Sequence, residues 1–381
     1  MATEQDATQG AGDATTGAAE PREAHAAAPL ALQDLALADG ELFHTSKGKP
    51  RPWPRPAAPL ADTHGHLTAF WGHDPARALV RAALAGVRLL VVPLDALTDC
   101  VPGSGADPDA EPMPAEELPA PRTAAELAAF VEDAVVRARE LMGAYREAGL
   151  VLPEFAGHGL LAGATPDFPL CVRFVAGVHP YGAAEFDDGC RERMRELMAH
   201  PLCVGVGEIG LDYTCRVPRE VQLACFAEQL EMAKAAGLPV ELHIRNDYDD
   251  EACEAHGDAL ALLREAGLPE RGCDLHCYTG DAATLLPFAE LGCRVAFGGA
   301  VTFKKSDAIR VAAEACPETS LITETDCPYM APVPLRGQEC EPAMVAFSAA
   351  CVAEVREQAG ISPARETYEA LWRNARELFG L

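Results

Sequence analysis

A chain of 381 residues with 49% hydrophobic and only 6% aromatic side chains has the material for a large aliphatic core, and a single α/β barrel can occupy most of that length. The net charge of −27 excludes a protein that coats nucleic acid, because counterion release needs clustered Lys and Arg. It leaves room for a nucleic-acid enzyme, since bound divalent cations reverse the local field.

Residues 1–58, rich in Ala, Gly, Thr, Glu and Pro, are expected to form a disordered leader with a short helix around 30–37. The leader ends in a basic, proline-stiffened run, Lys47-Gly48-Lys49-Pro50-Arg51-Pro52-Trp53-Pro54-Arg55-Pro56, which reads as a solvated linker. No signal peptide or membrane segment is expected, because no basic-then-apolar start and no apolar run of spanning length occurs. The fourteen cysteines are scattered without a C-x-x-C pair, and many sit in apolar runs as small hydrophobes. The expected compartment is a reducing cytoplasm.

From Leu60 onward, apolar strands alternate with amphipathic helices. Strands are predicted over 60–64, 87–92, 172–179, 203–208, 239–244, 273–276, 293–298 and 321–324. Helices are predicted over 75–85, 191–199, 221–236, 258–266, 282–291 and 307–315, with Gly86, Gly237 and Gly292 placed just past helix ends. Two further helices, over 342–359 and 363–378, follow the last strand. Eight such alternations predict a (β/α)8 TIM-type barrel over 59–381. An open doubly wound sheet is the alternative, but no glycine-rich phosphate loop follows the first strand. Residues 100–167 are longer than a barrel connection needs: an acidic proline-rich loop, a helix over 123–148 and a Gly-rich stretch. They are read as an insertion after strand two that serves as a lid or partner surface.

Chemistry in such a barrel sits at the C-terminal ends of the strands. There the sequence supplies His64 and His66, His179, Glu208, His243 with Arg245, His276, and Asp326. A single strand-end histidine has a dull explanation as a satisfied polar residue. With His179 set aside, four histidines and two carboxylates at five strand ends make a ligand set for two divalent ions, with Mg, Mn, Zn, Fe or Ni as the candidates.

These residues lie in motifs that resemble the TatD family of metal-dependent deoxyribonucleases, within the amidohydrolase-like barrels. The motifs are Asp62-Thr63-His64-Gly65-His66, Gly177-Val178-His179-Pro180, Gly205-Val206-Gly207-Glu208-Ile209-Gly210-Leu211-Asp212-Tyr213, His243-Ile244-Arg245 and His276-Cys277-Tyr278-Thr279-Gly280. Thr302-Phe303-Lys304, Glu324-Thr325-Asp326-Cys327-Pro328-Tyr329-Met330-Ala331-Pro332, and Arg336 with Glu341-Pro342 complete them in family order. The resemblance implies that His64, His66 and Asp326 bind one ion, that His243 and His276 bind the other, and that Glu208 bridges. It also implies hydrolysis of DNA phosphodiester bonds, with DNA or a nucleotide as the partner; separately, no membrane or protein partner is evident in the sequence, and a monomer is expected.

Within that frame Asp326 is the expected general base, assisting Glu208 at the metal-activated water. His179, Arg245, Lys304 and Arg336 are the expected substrate contacts. Arg245 has the alternative of a salt bridge to Glu208 or Asp212. The segment around Arg336 is poorer in cations than is usual in the family, and Glu339 counts against tight DNA-backbone binding. Two other functions are weighed: hydrolysis of a small amide, lactone or phosphoester, and a non-catalytic binding barrel. Related small-molecule hydrolases often carry a carboxylated lysine where Glu208 stands, and no ligand is missing here.

Overall fold

The computed structural model describes residues 41–101, 104, 120–147, 151–248, 250 and 252–381. The expected disorder of residues 1–40, the helix over 30–37 and most of the acidic loop before 120 lie outside the described residues.

The described chain opens with a short antiparallel hairpin, β1 (Phe43–His44) and β2 (Pro50–Arg51). The leader was expected to stay disordered through residue 58, and the structure corrects this for 41–58. Leu42, Phe43, Trp53 and Ala58 are buried. The Phe43 ring lies 6.1 Å from Trp53 and 5.1 Å from Phe347, and Arg81 donates to the Leu42 carbonyl at 2.7 Å. Two aromatic side chains within a proline-rich run provide enough apolar area to hold the hairpin on the barrel.

Eight parallel strands follow: β3 (Leu60–Asp62), β4 (Val87–Asp95), β5 (Cys171–Gly177), β6 (Cys203–Asp212), β7 (Val240–Arg245), β8 (Cys273–Leu275), β9 (Arg294–Phe297) and β10 (Leu321–Thr323). Each pairs with its sequence neighbour. The first and last meet through Thr63 N–H donating to the Thr323 carbonyl at 3.2 Å, with a further bridge between Gly65 and Cys327. This closes a (β/α)8 barrel.

Helices α1 (Pro75–Ala85), α2 (Ala124–Glu147), α3 (Asp188–Met198), α4 (Arg219–Ala236), α5 (Glu254–Ala266), α6 (Ala282–Leu291) and α7 (Asp307–Ala315) connect successive strands. Helices α8 (Val345–Gln358) and α9 (Ala364–Phe379) follow β10. The helix read as part of an insertion is α2, which packs between α1 and α3 in the ordinary place of a second barrel helix. Its start is a capping box: Glu126 N–H donates to the Thr123 hydroxyl, and the Glu126 carboxylate accepts from Thr123 N–H. Extra length therefore lies in the flanking loops and not in the helix. Among the described residues no helix is long and apolar enough to cross a membrane.

The barrel interior is aliphatic at the end away from the strand C-termini. Leu89, Val91, Val175 and Ile322 meet Trp372, Leu378 and Phe379 of α9, which stops that end. Asn374 of α9 ties in by donating to the Leu321 carbonyl at 2.8 Å. The opposite end is left for polar chemistry.

Candidate metal centre

Most predicted ligands sit just past the strand ends, because β3, β5, β8 and β10 stop one or two residues earlier than expected. His64 and His66 follow β3, His179 follows β5, His276 follows β8 and Asp326 follows β10. Glu208 and His243 lie within β6 and β7. Between these two strands the pairing runs from Val206↔Val240 to Ile209↔Leu242, so β6 carries one extra residue. This bulge contains Gly207 and Glu208, and a bulge re-aims the side chain it displaces. Gly210 keeps the two strands close: its φ is +142°, and a Cβ there would lie 2.1 Å from the His243 carbonyl oxygen. Asp326 takes the left-handed conformation at φ +54°, which Asp tolerates better than most residues.

The six predicted ligands converge. His64 Nε2 and His66 Nε2 are 3.0 Å apart. Glu208 Oε1 lies 3.9 and 3.6 Å from those two nitrogens, and Asp326 Oδ1 lies 3.8 and 3.6 Å from them. Glu208 Oε2 faces the other way, 3.2 Å from His243 Nδ1 and 3.3 Å from His276 Nε2. Donors on a tetrahedral ion with bonds near 2.1 Å stand about 3.4 Å apart. The separations observed here bracket that edge, and the donor set of imidazoles and carboxylates suits a divalent cation. The residues therefore fit a metal ion.

Three histidines are held from behind by buried carboxylates that sequence reading did not assign a role. Glu241 Oε1 bonds His64 Nδ1, Asp212 Oδ2 lies 3.0 Å from His243 Nε2, and Glu324 Oε1 lies 3.5 Å from His276 Nδ1. For His64 and His243, a carboxylate on the outer nitrogen fixes the tautomer and leaves the inner nitrogen's lone pair free, whereas Glu324 stands beside His276 as a neighbouring charge. The one sequence signal was phasing: Glu241 is two residues before His243 on β7, on the same face.

Without metal the charges are sorted by burial and neighbours. Burial, reinforced by His276, holds His64 well below the usual histidine range, so its imidazole stays neutral. Burial also opposes the His276 cation, but Glu324 and Glu208 outweigh it and raise His276 well above its ordinary value. Burial works against the Glu208 carboxylate as well, yet hydrogen bonds from His243 and His276 hold it well below the carboxylate range. A cation bound at His276 would therefore have to displace a proton.

The centre lines a cavity of about 630 Å³ together with Asp95, Asp99, His179, Tyr181, Arg245 and Tyr329. His179 joins Glu208 and His243 in a group with ligand atoms within 4.8 Å of one another, which puts it among the side chains that could hold a metal ion. Its Nδ1 accepts from Tyr181 N–H at 3.2 Å, so Nε2 is the nitrogen available to a ligand. Burial, then His243, depresses it to about 3. Arg245 lines the cavity and bonds the Tyr248 hydroxyl at 3.0 Å; no salt bridge to Glu208 or Asp212 forms, because His243 occupies both carboxylates.

Lys304 and Arg336 do not line the cavity. Lys304 is exposed, and the Arg336 guanidinium lies 4.1 Å from the centre of the Phe303 ring. Glu339 does not project a repelling charge. Its carboxylate accepts from Trp71 N–H at 2.6 Å and from Gly72 N–H at 3.0 Å, and its side chain is 8% exposed.

Comparison with known proteins agrees with this geometry. Residues 61–380 match the family described as TatD related DNase. The uncharacterized metal-dependent hydrolase YcfH of Escherichia coli is 38% identical over 175 residues, which span 46% of this chain and 62% of YcfH. The 3'-5' ssDNA/RNA exonuclease TatD of Edwardsiella piscicida is 32% identical over 260 residues, 66% of this chain and 94% of that protein. Among solved structures, the TatD homolog YJJV from Escherichia coli has the same fold, with a TM-score of 0.59 at 24% identity over 85% of this chain and 99% of that one. With nearly all of the barrel matched and its metal-ligand groups assembled, the chain belongs to the TatD related DNase family and is a metal-dependent hydrolase.

Proposed function

We propose that this chain hydrolyses phosphodiester bonds of single-stranded DNA at a centre that takes two divalent ions. One observation carries the proposal: the two oxygens of Glu208 face two different histidine pairs, His64 with His66 and His243 with His276. A carboxylate so placed would hold two ions at once, with Asp326 beside the first histidine pair and His179 within reach of Glu208 and His243. When bound, such ions supply Lewis-acid polarisation of a phosphate and a water of lowered pKa. The ions named by the donor chemistry are Mg, Mn, Zn, Fe or Ni.

The chain's own residues do the rest. Asp326, partly open to solvent beside His64 and His66, accepts the proton of the attacking water at its carboxylate. Arg245 has no carboxylate partner among the described residues and meets phosphate oxygens with its guanidinium. Neutral His179 donates a hydrogen bond from Nε2 without adding charge. A cytoplasmic monomer is the form proposed, supported by cysteines that pack as buried thiols. The relative named as a single-strand exonuclease supports nucleic acid as the substrate class.

The test is metal analysis followed by a nuclease assay. Wild type should hold two ions per chain and cleave single-stranded DNA in preference to small amide and lactone substrates. Asp326→Ala should lose cleavage while keeping its circular dichroism spectrum. Full activity in that variant overturns the mechanism.

A further inference from the structure

The cavity mouth carries aromatic surface that the metal chemistry does not use. Trp71 is 59% exposed and Tyr329 51%, with ring centroids 6.1 Å apart. Tyr329 lines the cavity, and its ring is 6.2 Å from that of His66. Of the three tryptophans, Trp53 and Trp372 are buried, so Trp71 alone faces solvent. Its loop is not loose: Glu339 binds Trp71 N–H and Gly72 N–H and lies 3.5 Å from His73 Nδ1. A buried carboxylate thus holds an exposed indole beside the metal centre.

A second feature adjoins it. In a chain of net charge −27, the hairpin and the run after it expose Lys47, Lys49, Arg51 and Arg55 within nine residues. Gln338 donates to the His44 carbonyl at 3.1 Å, while the next residue, Glu339, holds Trp71. Farther along, Pro56 lies against Gly86 at the far end of α1, whose near end starts just after the Trp71 loop. The chain from Arg51 to Pro56 therefore runs away from the cavity, and the basic hairpin sits at the cavity end. Stacking surfaces next to a line of cations are what a single strand requires, since every base has a π-face and every linkage a charge.

We propose that Trp71, positioned by Glu339, and the basic hairpin form one track that leads single-stranded DNA into the metal centre. Trp71 stacks on a base near the cleaved end, and Lys47, Lys49 and Arg51 meet phosphates farther along the strand. The track rests on the nuclease function proposed above.

The experiment uses the full chain loaded with metal and three substrates: a single strand, the same strand with abasic residues at the cleaved end, and a dinucleotide. Loss of one stacked base corresponds to about 5- to 150-fold in KM. Trp71→Ala should raise KM by that much on the ordinary strand with kcat within about twofold, and leave the abasic strand unchanged. Trp71→Phe should restore most of the difference. Glu339→Ala should reproduce the lost discrimination between ordinary and abasic strands, and Glu339→Gln should recover it. Neutralising Lys47, Lys49 and Arg51 to Gln should lower the slope of log KM against log salt by about 2 on the long strand, at about 0.7 per cation, and do nothing on the dinucleotide. Equal KM in Trp71→Ala and wild type, equal losses on ordinary and abasic strands, or an unchanged salt slope overturns the track. A wild type that cleaves no single strand overturns the nuclease function, and the track with it.

Discussion

Glu241→Gln separates the metal ligands from what holds them. Glu241 is fully buried on β7, one oxygen bonding His64 Nδ1 and the other without a hydrogen-bond partner. Glutamine keeps the length and an acceptor oxygen, so the His64 tautomer survives, but the negative charge that makes Nε2 more basic is gone. Loss of such a partner weakens metal affinity by about 10- to 100-fold, or about 1.4–2.7 kcal/mol. Glu241→Leu removes the acceptor as well, freeing the tautomer, and should fall at or beyond the upper end. The assay is competition with a calibrated chelator, with circular dichroism on metal-free protein to confirm the fold. Asp212→Asn provides the parallel perturbation behind His243. If Glu208 serves two ions, each variant should weaken one of two binding steps and leave the stoichiometry intact at saturation. Unchanged affinity in both Glu241 variants would refute the role given to the carboxylate.

Two further predictions concern stability. Asp95 is half-buried in the cavity wall, and its desolvation there, with Asp99 beside it, raises its carboxyl to about 6 despite the hydrogen bond from His179 N–H. The unfolded chain releases this proton near pH 4 and the folded chain near pH 6, so the folded state binds more protons between them. Stability should fall as pH rises through that window, by about 3 kcal/mol for this group. In metal-free protein, urea unfolding of Asp95→Asn between pH 4 and pH 7 should lack that share of the decline; parallel pH profiles would count against it. Phe43→Ala should cost about 3–5 kcal/mol, because the ring is enclosed by Trp53 and Phe347. A loss below about 1 kcal/mol by urea titration would mean the hairpin is not anchored.

The side chains that converge at the cavity were readable in the sequence because a barrel brings polar strand-end residues together, where they stand out in otherwise apolar runs. Helices over 75–85 and 307–315 were readable through their amphipathic pattern, and Gly86, Gly237 and Gly292 do adopt the left-handed conformation past helix ends. The supports were harder. Glu241 and Asp212 look like any polar residue on a strand, and only burial shows that each has a histidine to hold. Lys304 and Arg336 looked useful because their motifs are, but whether a loop side chain points into a cavity depends on packing that no spacing encodes. The hairpin was hidden by composition: proline and lysine suggested a linker, while Phe43 and Trp53 supplied an anchor. Glu339 was misjudged for a similar reason, since a charge counted in sequence is not a charge presented to solvent.

The seam where the barrel closes has a consequence for the order of assembly. Asp62, buried beside the first ligand pair, accepts from Thr325 N–H at 2.8 Å and from the Thr325 hydroxyl at 2.7 Å, across 263 positions of chain. Asp326 N–H donates to the His64 carbonyl at 2.9 Å, and His66 N–H to the Cys327 carbonyl at 2.7 Å. Contacts this distant in sequence carry the largest loop-closure cost and form only when both ends have arrived. The candidate ligand group of His64, His276 and Asp326 is drawn from both sides of this seam, so a chain lacking its last strand cannot assemble it. A hydrolytic centre built across the joint stays silent until the barrel around it is whole.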